Sequence, residues 1–387
     1  MASALDGIRV LDLTRLYPGP FCTMLLADFG AEVIKIEDPQ MGDYLRWSPP
    51  LTGDFGAAFS MLNRNKKGMR LDLRSEAGRE IFLALAEGAD VVVEGFRPGV
   101  VERLGIDAAS VRERNARIVY CSITGYGRTG PYRTRAGHDL NYVARAGLLG
   151  SGEEAIHPPP LQVADFAGGG LQAAFAILVA LFHRERSGQG QSIDVSMREG
   201  VLALLGVHAA ETLAGGGDPA PARRLLGGAA PCYNVYRTAD GRYMALGALE
   251  PKFWAEFCRA IDREDLIEAQ FPEGDARKRL EEELARIFAG KTLAQWVECF
   301  KGRDVCCEPV LTLSEAIDDP DFTDRKSLLD PPSSDAPSQL RATPLFSETP
   351  ATYRAPAPLA GEHTREILLS IGLSDEEIES LEKRGIV

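Results

Sequence analysis

Short apolar runs alternate with helical patterns through the first third of the chain, and this alternation constrains the fold most strongly. Residues 8–13 predict a buried strand, and a pair of prolines then opens a helix that Gly30 ends. The alternation continues with expected strands at 32–37, from Val91 and from Arg117, and with expected helices at 77–86 and 100–104. Strands that alternate with helices are typical of a parallel, doubly wound sheet, so we predict an α/β fold of this kind.

The sequence changes character further along the chain. The expected elements of the middle part are a long helix at 165–183, a strand at 191–195 and a helix at 197–213. A Gly-, Ala- and Pro-rich stretch begins at Gly215, and two expected strands then meet at residues 239–241, where Ala-Asp-Gly is a hairpin turn signal. Charged helical patterns follow at 252–303, and a Pro-rich stretch lies at 330–360. These shifts predict a smaller α+β domain at residues 225–325.

The composition is that of an ordinary globular protein, with 45% hydrophobic and 26% charged residues. The excess of 56 Asp+Glu over 43 Lys+Arg argues against a general nucleic-acid binder, which needs a basic surface, but allows an anionic ligand held by local arginines. No apolar run approaches the roughly 18 residues of a membrane span, and no signal-like segment opens the chain. Only two of the seven cysteines, Cys306 and Cys307, are close together, so we predict a cytoplasmic protein with reduced cysteines and no metal.

An acidic residue, Glu37, ends the second expected strand about 20 residues after the first turn, which is a spacing found in dinucleotide-binding folds. The turn itself reads TRLYPGPFCTML from Thr14 and contains no GxGxxG. Without those glycines the backbone cannot approach a pyrophosphate closely. The sequence therefore argues against an NAD or FAD site.

Several longer motifs occur in order along the chain. They are GIRVLDLTRLYPGPFCTMLLADFGAEVIKIE from Gly7, LDLRSEAG from Leu71, EGFRPGVVERLGI from Glu94, GYGRTGPYRTRAGHDLNY from Gly125 and LQVADFAGGG from Leu161. Together they resemble the class III CoA-transferase family, which also contains the α-methylacyl-CoA racemases. Two segments, GHDLNY from Gly137 and GALEPKFW from Gly247, are similar to the racemase branch rather than to the transferases.

This resemblance implies a particular architecture. A Rossmann-like large domain would be built from both ends of the chain, residues 1–224 and 326–387, with the smaller domain inserted between them. Two chains would interlock as a homodimer, so that each active site lies between the large domain of one chain and the small domain of the other. The substrate would be an acyl-CoA thioester, with CoA as part of the substrate and no separate cofactor.

Inverting the carbon next to a thioester requires two acid/base groups, one on each face of that carbon. Histidine suits this task because its pKa lies near neutral pH, and a carboxylate suits it when its surroundings set its proton affinity. His138 would otherwise be a helix-start residue with a local hydrogen bond, and Asp165 a helix N-cap. The resemblance implies that both are catalytic. It also implies that Glu250, otherwise a solvated charge after an apolar strand, pairs with the histidine across the dimer interface.

The phosphates of CoA need cationic donors, and arginine's forked guanidinium suits them. The resemblance implies that Arg97 and Arg103 contact the phosphates. It places four further binding residues near the adenine and phosphates: Leu71, Asp72, Leu73 and Arg74. It also implies binding by Gly95 and Phe96, beside Arg97, and by five residues of the GHDLNY motif, Gly137, Asp139, Leu140, Asn141 and Tyr142. Of these five, Gly137, Asp139 and Tyr142 would contact the pantetheine arm. Some racemases carry an arginine where this chain has Asp38, so a phosphate contact is either lost there or replaced by Arg46.

Two features leave alternatives open. The glycines at 168–170 make room either for a ligand to approach the backbone or for another helix to pack closely. The basic run NRNKKGMR at 63–70 lies either near the CoA site or in a solvated loop.

Three functions are compatible with these residues. A racemase would use His138 and Asp165 for 1,1-proton transfer through an enolate. A CoA-transferase would use Asp165 as a nucleophile that forms an acyl-aspartyl anhydride, and would have little use for His138. A protein that binds acyl-CoA without turnover would need neither residue. The presence of both His138 and Glu250 favours the racemase.

Overall fold

A computed structural model describes residues 3–53, 55–151, 157–217, 225–333, 336–342 and 344–387. The chain divides into two compact units. The first unit combines Met1–Leu148, Pro158–Gly206 and Asp324–Val387, and the second combines Leu149–His157 and Val207–Thr323.

Six parallel strands form the central sheet of the first unit. They are β1 (Arg9–Asp12), β2 (Glu32–Glu37), β3 (Lys66–Arg70), β4 (Val91–Glu94), β5 (Val119–Thr124) and β6 (Ser192–Ser196). The strand order is β3-β2-β1-β4-β5-β6, and every neighbouring pair is parallel. The order reverses direction between β1 and β4, which creates the crevice where doubly wound sheets bind ligands. The predicted parallel α/β sheet is confirmed.

Helices cover both faces of this sheet. The described helices of the first unit are Pro18–Asp28, Tyr44–Arg46 (3-10), Ala57–Leu62, Glu76–Glu87, Val100–Leu104, Ala108–Arg114, Asp139–Arg145, Ala164–Leu171 (π), Gln172–Ser187, Met197–Leu204, Thr364–Ser370 and Asp375–Lys383. Glu76–Glu87 shows why they form: the Ser75 hydroxyl accepts from the Gly78 amide at 3.0 Å, and the apolar side of the helix is buried. That side packs with Leu11 and Val92 of the sheet in one core cluster.

The second unit is built around an antiparallel sheet of three strands, β7 (Tyr233–Arg237), β8 (Tyr243–Gly247) and β9 (Cys307–Pro309), in the order β9-β8-β7. Its described helices include Gly206–Glu211, Pro251–Ala260, Gly274–Phe288, Leu293–Phe300 and Leu313–Ile317. The turn between β7 and β8 contains Gly241 at φ +78°, as the hairpin signal predicts. The core centres on aromatic rings, with Trp254, Phe257 and Phe288 fully buried.

The basic run at 63–70 is not a solvated loop, and it ends directly before residues 71–74, the segment expected near the adenine and phosphates. Residues 66–70 form the edge strand β3, and the side chains of Arg64 and Lys66 are completely buried. Arg64 pairs with Asp28 at 2.6 Å, and Lys66 pairs with Asp12 at 3.1 Å. The sequence pattern missed this because the carboxylates that neutralise these cations lie 36 and 54 residues away in the chain.

One helix among the described residues, Ala164–Ser187, is long and apolar enough to cross a membrane by length and composition alone. Its most apolar window is 44% buried, and core helices of soluble proteins pass the same test. Within the first unit it contacts strands β5 and β6, and its Arg184 is buried against Asp90 at 2.8 Å. One side of this helix therefore packs within the first unit, while Phe175 and Phe182 on the other side are exposed.

Candidate active site

A cavity of about 1090 Å³ opens in the first unit at the carboxyl ends of the parallel strands. Its lining comes from the segments that follow β1 to β6, together with the start of the helix Asp139–Arg145 and the π-helical turn Ala164–Leu171. Because the carboxyl ends of parallel strands meet at one edge, side chains from distant parts of the chain converge here. The predicted residues that line it are Leu71, Asp72, Leu73, Arg74, Gly95, Phe96, Arg97, Arg103, Gly137, His138, Asp139, Leu140, Tyr142 and Asp165.

Asp165 lies at the start of the π-helical turn and is partly buried in the cavity wall. It is not the N-cap of its helix, as its sequence position had suggested. The N-cap residue is Val163, and the first amides of the helix are satisfied by Asp139, whose Oδ1 accepts from the backbone amides of Ala164 at 2.6 Å and Asp165 at 3.0 Å. Burial, and then the charge of Asp139, raise the pKa of Asp165 to about 7. Asp165 can therefore gain or lose a proton near neutral pH.

The glycines that follow Asp165 allow a helix to pack closely. A Cβ at Gly168 would lie 2.5 Å from the carbonyl oxygen of Met197, and one at Gly200 would lie 2.1 Å from the carbonyl oxygen of Gly168. Of the two alternatives that the sequence left open, the structure favours helix packing. This contact with Met197–Leu204 fixes the backbone that carries Asp165.

His138 is the N-cap residue of the helix Asp139–Arg145, and its exposed side chain faces the cavity. Its backbone amide donates to Asn141 Oδ1 at 3.0 Å, so Asn141 serves as a helix cap and does not line the cavity. The Tyr142 hydroxyl donates to the carbonyl of Gly137 at 2.5 Å, and its ring lies against Gly125 and Gly137, where a Cβ would collide with it. The GHDLNY motif therefore builds one rigid corner that presents both His138 and Asp139.

Several arginines reach the cavity. Arg97 and Arg103 line it as expected, and Arg15, Arg133 and Arg135 line it without having been predicted. Arg15 lies soon after the end of β1 at Asp12, and its guanidinium lies 5.5 Å from the ring centre of Tyr44 and 5.9 Å from that of Phe96. The signal that could have identified it is its position after the first strand, since residues at that place in a doubly wound sheet face the ligand crevice.

Arg46 does not take the place of a phosphate-binding arginine at position 38. It is buried, its guanidinium is held by Glu37 at 2.5 and 2.9 Å, and it donates to the carbonyl of Pro358 at 3.0 Å. Asp38 does line the cavity and pairs with Arg74 at 3.0 Å. Position 38 therefore contributes negative charge to the site.

Glu250 lies in the second unit, where it is the N-cap of the helix Pro251–Ala260. Its predicted pairing with His138 of another chain stays a prediction. Among the described residues, no group of three His, Cys, Asp or Glu side chains is placed to hold a metal ion.

The chain belongs to CoA-transferase family III, whose family model matches residues 5–364. It is 38% identical to the alpha-methylacyl-CoA racemase of Mus musculus over 99% of this chain and 97% of that protein. It is also 35% identical to the succinyl-CoA:mesaconate CoA-transferase of Haloarcula hispanica, over 97% of this chain and 99% of that protein. Both branches of the family are thus represented among its relatives.

Solved structures support the same assignment. The fold matches a CAIB/BAIF family protein from Brucella suis with a TM-score of 0.83 and 30% identity, over 96% of this chain and 100% of that chain. An α/β enzyme of this family is therefore the class to which the fold and the relatives assign the protein.

Proposed function

We propose that the protein is a racemase that inverts the α-carbon of 2-methylacyl-CoA thioesters. The observation that carries this proposal is the pKa of about 7 of Asp165, in the wall of a cavity that also contains His138. An acid/base group with this proton affinity, in a cavity that a histidine also lines, suits the exchange of a proton between two faces of a carbon.

In the proposed reaction, one of these two groups removes the α-proton. The electron pair of the broken C–H bond moves toward the thioester oxygen and gives an enolate. The other group then returns a proton to the opposite face, and the thioester carbonyl is restored. His138 and Asp165 exchange roles for the reverse direction, so no cofactor besides the CoA portion of the substrate is needed.

The amide groups at the start of the Asp165 helix do not all remain available for the enolate oxygen. Asp139 already accepts from the amides of Ala164 and Asp165. The negative charge of Asp139 disfavours ionisation of Asp165. Asp165 therefore stays protonated up to a higher pH than an ordinary aspartate does. We therefore assign Asp139 to tuning Asp165 rather than to contacting the pantetheine arm.

A CoA-transferase is the second candidate, because a relative with that activity in its name matches nearly the full chain. Here the Asp165 carboxylate would attack the thioester carbonyl, expel CoA thiolate and form an acyl-aspartyl anhydride. The acceptor carboxylate would displace the first acid from the aspartyl carbonyl and form a second anhydride. The returning CoA thiolate would then attack the acceptor's acyl carbonyl, which gives the new thioester and regenerates the Asp165 carboxylate. A nucleophile must be deprotonated, and a pKa of about 7 leaves much of Asp165 protonated at neutral pH. This observation favours the racemase.

The deciding experiment is incubation in heavy water with a single enantiomer of a 2-methylacyl-CoA, without an acceptor acid. Deuterium incorporation at the α-carbon together with loss of optical purity is the result that we expect. Absence of exchange, combined with transfer of CoA to an added carboxylic acid, would make the protein a transferase instead.

We also propose that the active enzyme is a homodimer in which a second chain supplies Glu250 to the histidine. An exposed apolar stripe on the helix Gln172–Ser187 supports an interface with another chain, since Phe175, Leu178, Val179 and Phe182 are between 43% and 66% exposed. Their spacing of three, one and three residues places them on one side of the helix.

Co-expression of Asp165→Asn and Glu250→Gln chains tests this sharing of residues. If each site takes the aspartate from one chain and the glutamate from the other, a mixed dimer has one intact site and one doubly altered site. Random pairing would then restore about a quarter of the wild-type activity, although each variant alone is impaired. If the two variants together are no more active than apart, or if the protein is monomeric by light scattering, the proposal fails.

A further inference from the structure

The cavity has a second carboxylate, Asp38, whose position bears on the kind of CoA ester that the site accepts. The argument rests on the proposed function. Asp165 belongs to a helical turn that packs against Met197, directly after β6, whereas Asp38 directly follows β2. The strand order separates β2 and β6 by three strands. CoA is an extended molecule with adenosine at the end opposite the thioester, and the part of the cavity farthest from β6 in the strand order is lined by residues that follow β2 and β3.

Asp38 is held firmly in this place. Its Oδ1 accepts from the backbone amides of Gln40 at 2.9 Å and Met41 at 3.1 Å, while its Oδ2 pairs with Arg74 at 3.0 Å. Although burial opposes ionisation, the amides and then the charges of Arg74 and Arg15 lower the pKa of Asp38 below its ordinary value. Asp38 is therefore a carboxylate at neutral pH.

Arg74 is not free to neutralise a phosphate. Its Nε donates to Asp72 Oδ1 at 2.8 Å, so two carboxylates share this one guanidinium. The cluster of Asp38, Asp72 and Arg74 carries a formal charge of one negative unit, and Arg15, the other cation whose charge acts on Asp38, lies over the rings of Tyr44 and Phe96. A phosphate placed there would have to displace a carboxylate from the arginine and would be repelled by both acids.

A carboxylate in this position can instead accept a hydrogen bond from a hydroxyl group. In doubly wound nucleotide sites, an acidic residue after the second strand bonds a ribose hydroxyl, while an arginine accommodates a ribose phosphate. Asp38 occupies the corresponding place after β2. We propose that Asp38 binds the ribose 3′-hydroxyl of the adenosine, which CoA carries as a phosphate ester, so that the enzyme accepts thioesters of 3′-dephospho-CoA at least as well as those of CoA.

Calorimetric titration of the full-length protein with CoA and with 3′-dephospho-CoA tests the inference directly. For the wild-type protein we expect a Kd for 3′-dephospho-CoA equal to or lower than that for CoA. In Asp38→Asn, CoA should bind about tenfold more tightly, because a repulsive charge next to the phosphate is removed. Asp375→Asn is the matched control: it makes the same change in an exposed pair with Arg365, outside the cavity, and should alter neither Kd.

The wild-type comparison does not depend on how the variant folds. A wild-type Kd for CoA that is lower than that for 3′-dephospho-CoA by more than the error of the titration overturns the inference, as does an equal change of both Kd values in Asp38→Asn. Both of these results leave the proposed racemase intact, because the ligands still bind. If neither ligand binds, the proposed function fails, and this inference fails with it.

Discussion

Two aspartates of the first unit are removed from water yet have opposite proton affinities. Asp12, at the end of β1, is completely buried, and Asp165, at the start of its helix, is partly buried. Burial raises the pKa of Asp12, but Lys66, Lys35 and the hydroxyls of two threonines outweigh it and hold the value at about 2. Asp165 has Asp139 as its charged neighbour, and its pKa rises to about 7.

The difference shows that burial alone does not decide whether a carboxyl group is charged. Asp12 accepts from the amide of Thr14 at 2.9 Å and from the hydroxyl of Thr23 at 2.6 Å, and Lys66 lies 3.1 Å away. These contacts connect β1, the first helix and β3, so the charge of Asp12 serves the fold. Asp165 faces a cavity, and its pKa lies near neutral pH, so its carboxyl group can exchange a proton with a bound ligand.

Replacement of the cavity aspartate should produce the largest effect. Asp165→Asn removes the titrating group but keeps its size, so we expect α-proton exchange to fall at least about a thousandfold while the fold is retained. Mass spectrometry of the substrate after incubation in heavy water measures this, with circular dichroism to verify folding. Exchange within tenfold of the wild-type rate would remove Asp165 from the mechanism. Asp375→Asn serves again as the control, with unchanged exchange.

Replacement of the partner of the structural aspartate should affect stability instead. Lys66→Met leaves the Asp12 carboxylate buried without its nearest cation, so we expect a loss of about 3–5 kcal/mol in the free energy of unfolding. Urea denaturation measures it. Lys301→Met is the matched control: it breaks an exposed pair with Glu298, 3.1 Å apart, and should cost at most about 1 kcal/mol. Equal losses in the two variants would show that Asp12 does not depend on its partner.

The proton affinity of Asp165 also predicts how stability depends on pH. Its pKa is about 7 in the folded protein and about 4 in the unfolded chain, so the stability that its protonated form contributes is full below pH 4 and is lost as pH rises through 7. Asp165→Asn should therefore be more stable than the wild-type protein at pH 8.5, by about 1–3 kcal/mol after allowance for solvent screening. The two proteins should differ less at pH 5.5. A difference that does not change with pH between parallel urea titrations would contradict the assignment.

The smallest expected effect concerns the neighbour that raises the pKa of Asp165. Asp139→Asn keeps an oxygen that can accept from the amides of Ala164 and Asp165 but removes the negative charge. We expect the limb of the pH–rate profile that reports Asp165 to move to lower pH, while KM changes little. A profile that stays in place, with KM raised instead, would return Asp139 to the substrate-contacting role that the sequence suggested.

Much of this arrangement could be predicted from the sequence because it depends on local pattern. The alternation of strands and helices predicted the parallel sheet, and the GHDLNY and ADFAGGG motifs placed His138, Asp139 and Asp165 at the ends of elements. Fourteen of the sixteen predicted site residues line the cavity, while Asn141 caps a helix and Glu250 lies in the other unit. Arg15 also lines the cavity and was missed, although it comes soon after the first strand of a doubly wound sheet, where residues face the ligand crevice.

The remaining features depend on contacts between distant parts of the chain. A run such as NRNKKGMR has the composition of a solvated loop, and its burial becomes intelligible only once Asp28 and Asp12 are beside Arg64 and Lys66. The capping of the Asp165 helix by Asp139 joins residues 25 and 26 apart in the sequence. No local pattern carries that information.

The sequence by itself thus determined which residue types stand at the ends of the strands, because helix and strand patterns are short-range. Only the tertiary structure decided which carboxyl groups are charged. Proton affinity depends on burial and on the neighbouring charges that folding assembles. Asp12, Asp38 and Asp165 therefore have identical side chains but different proton affinities.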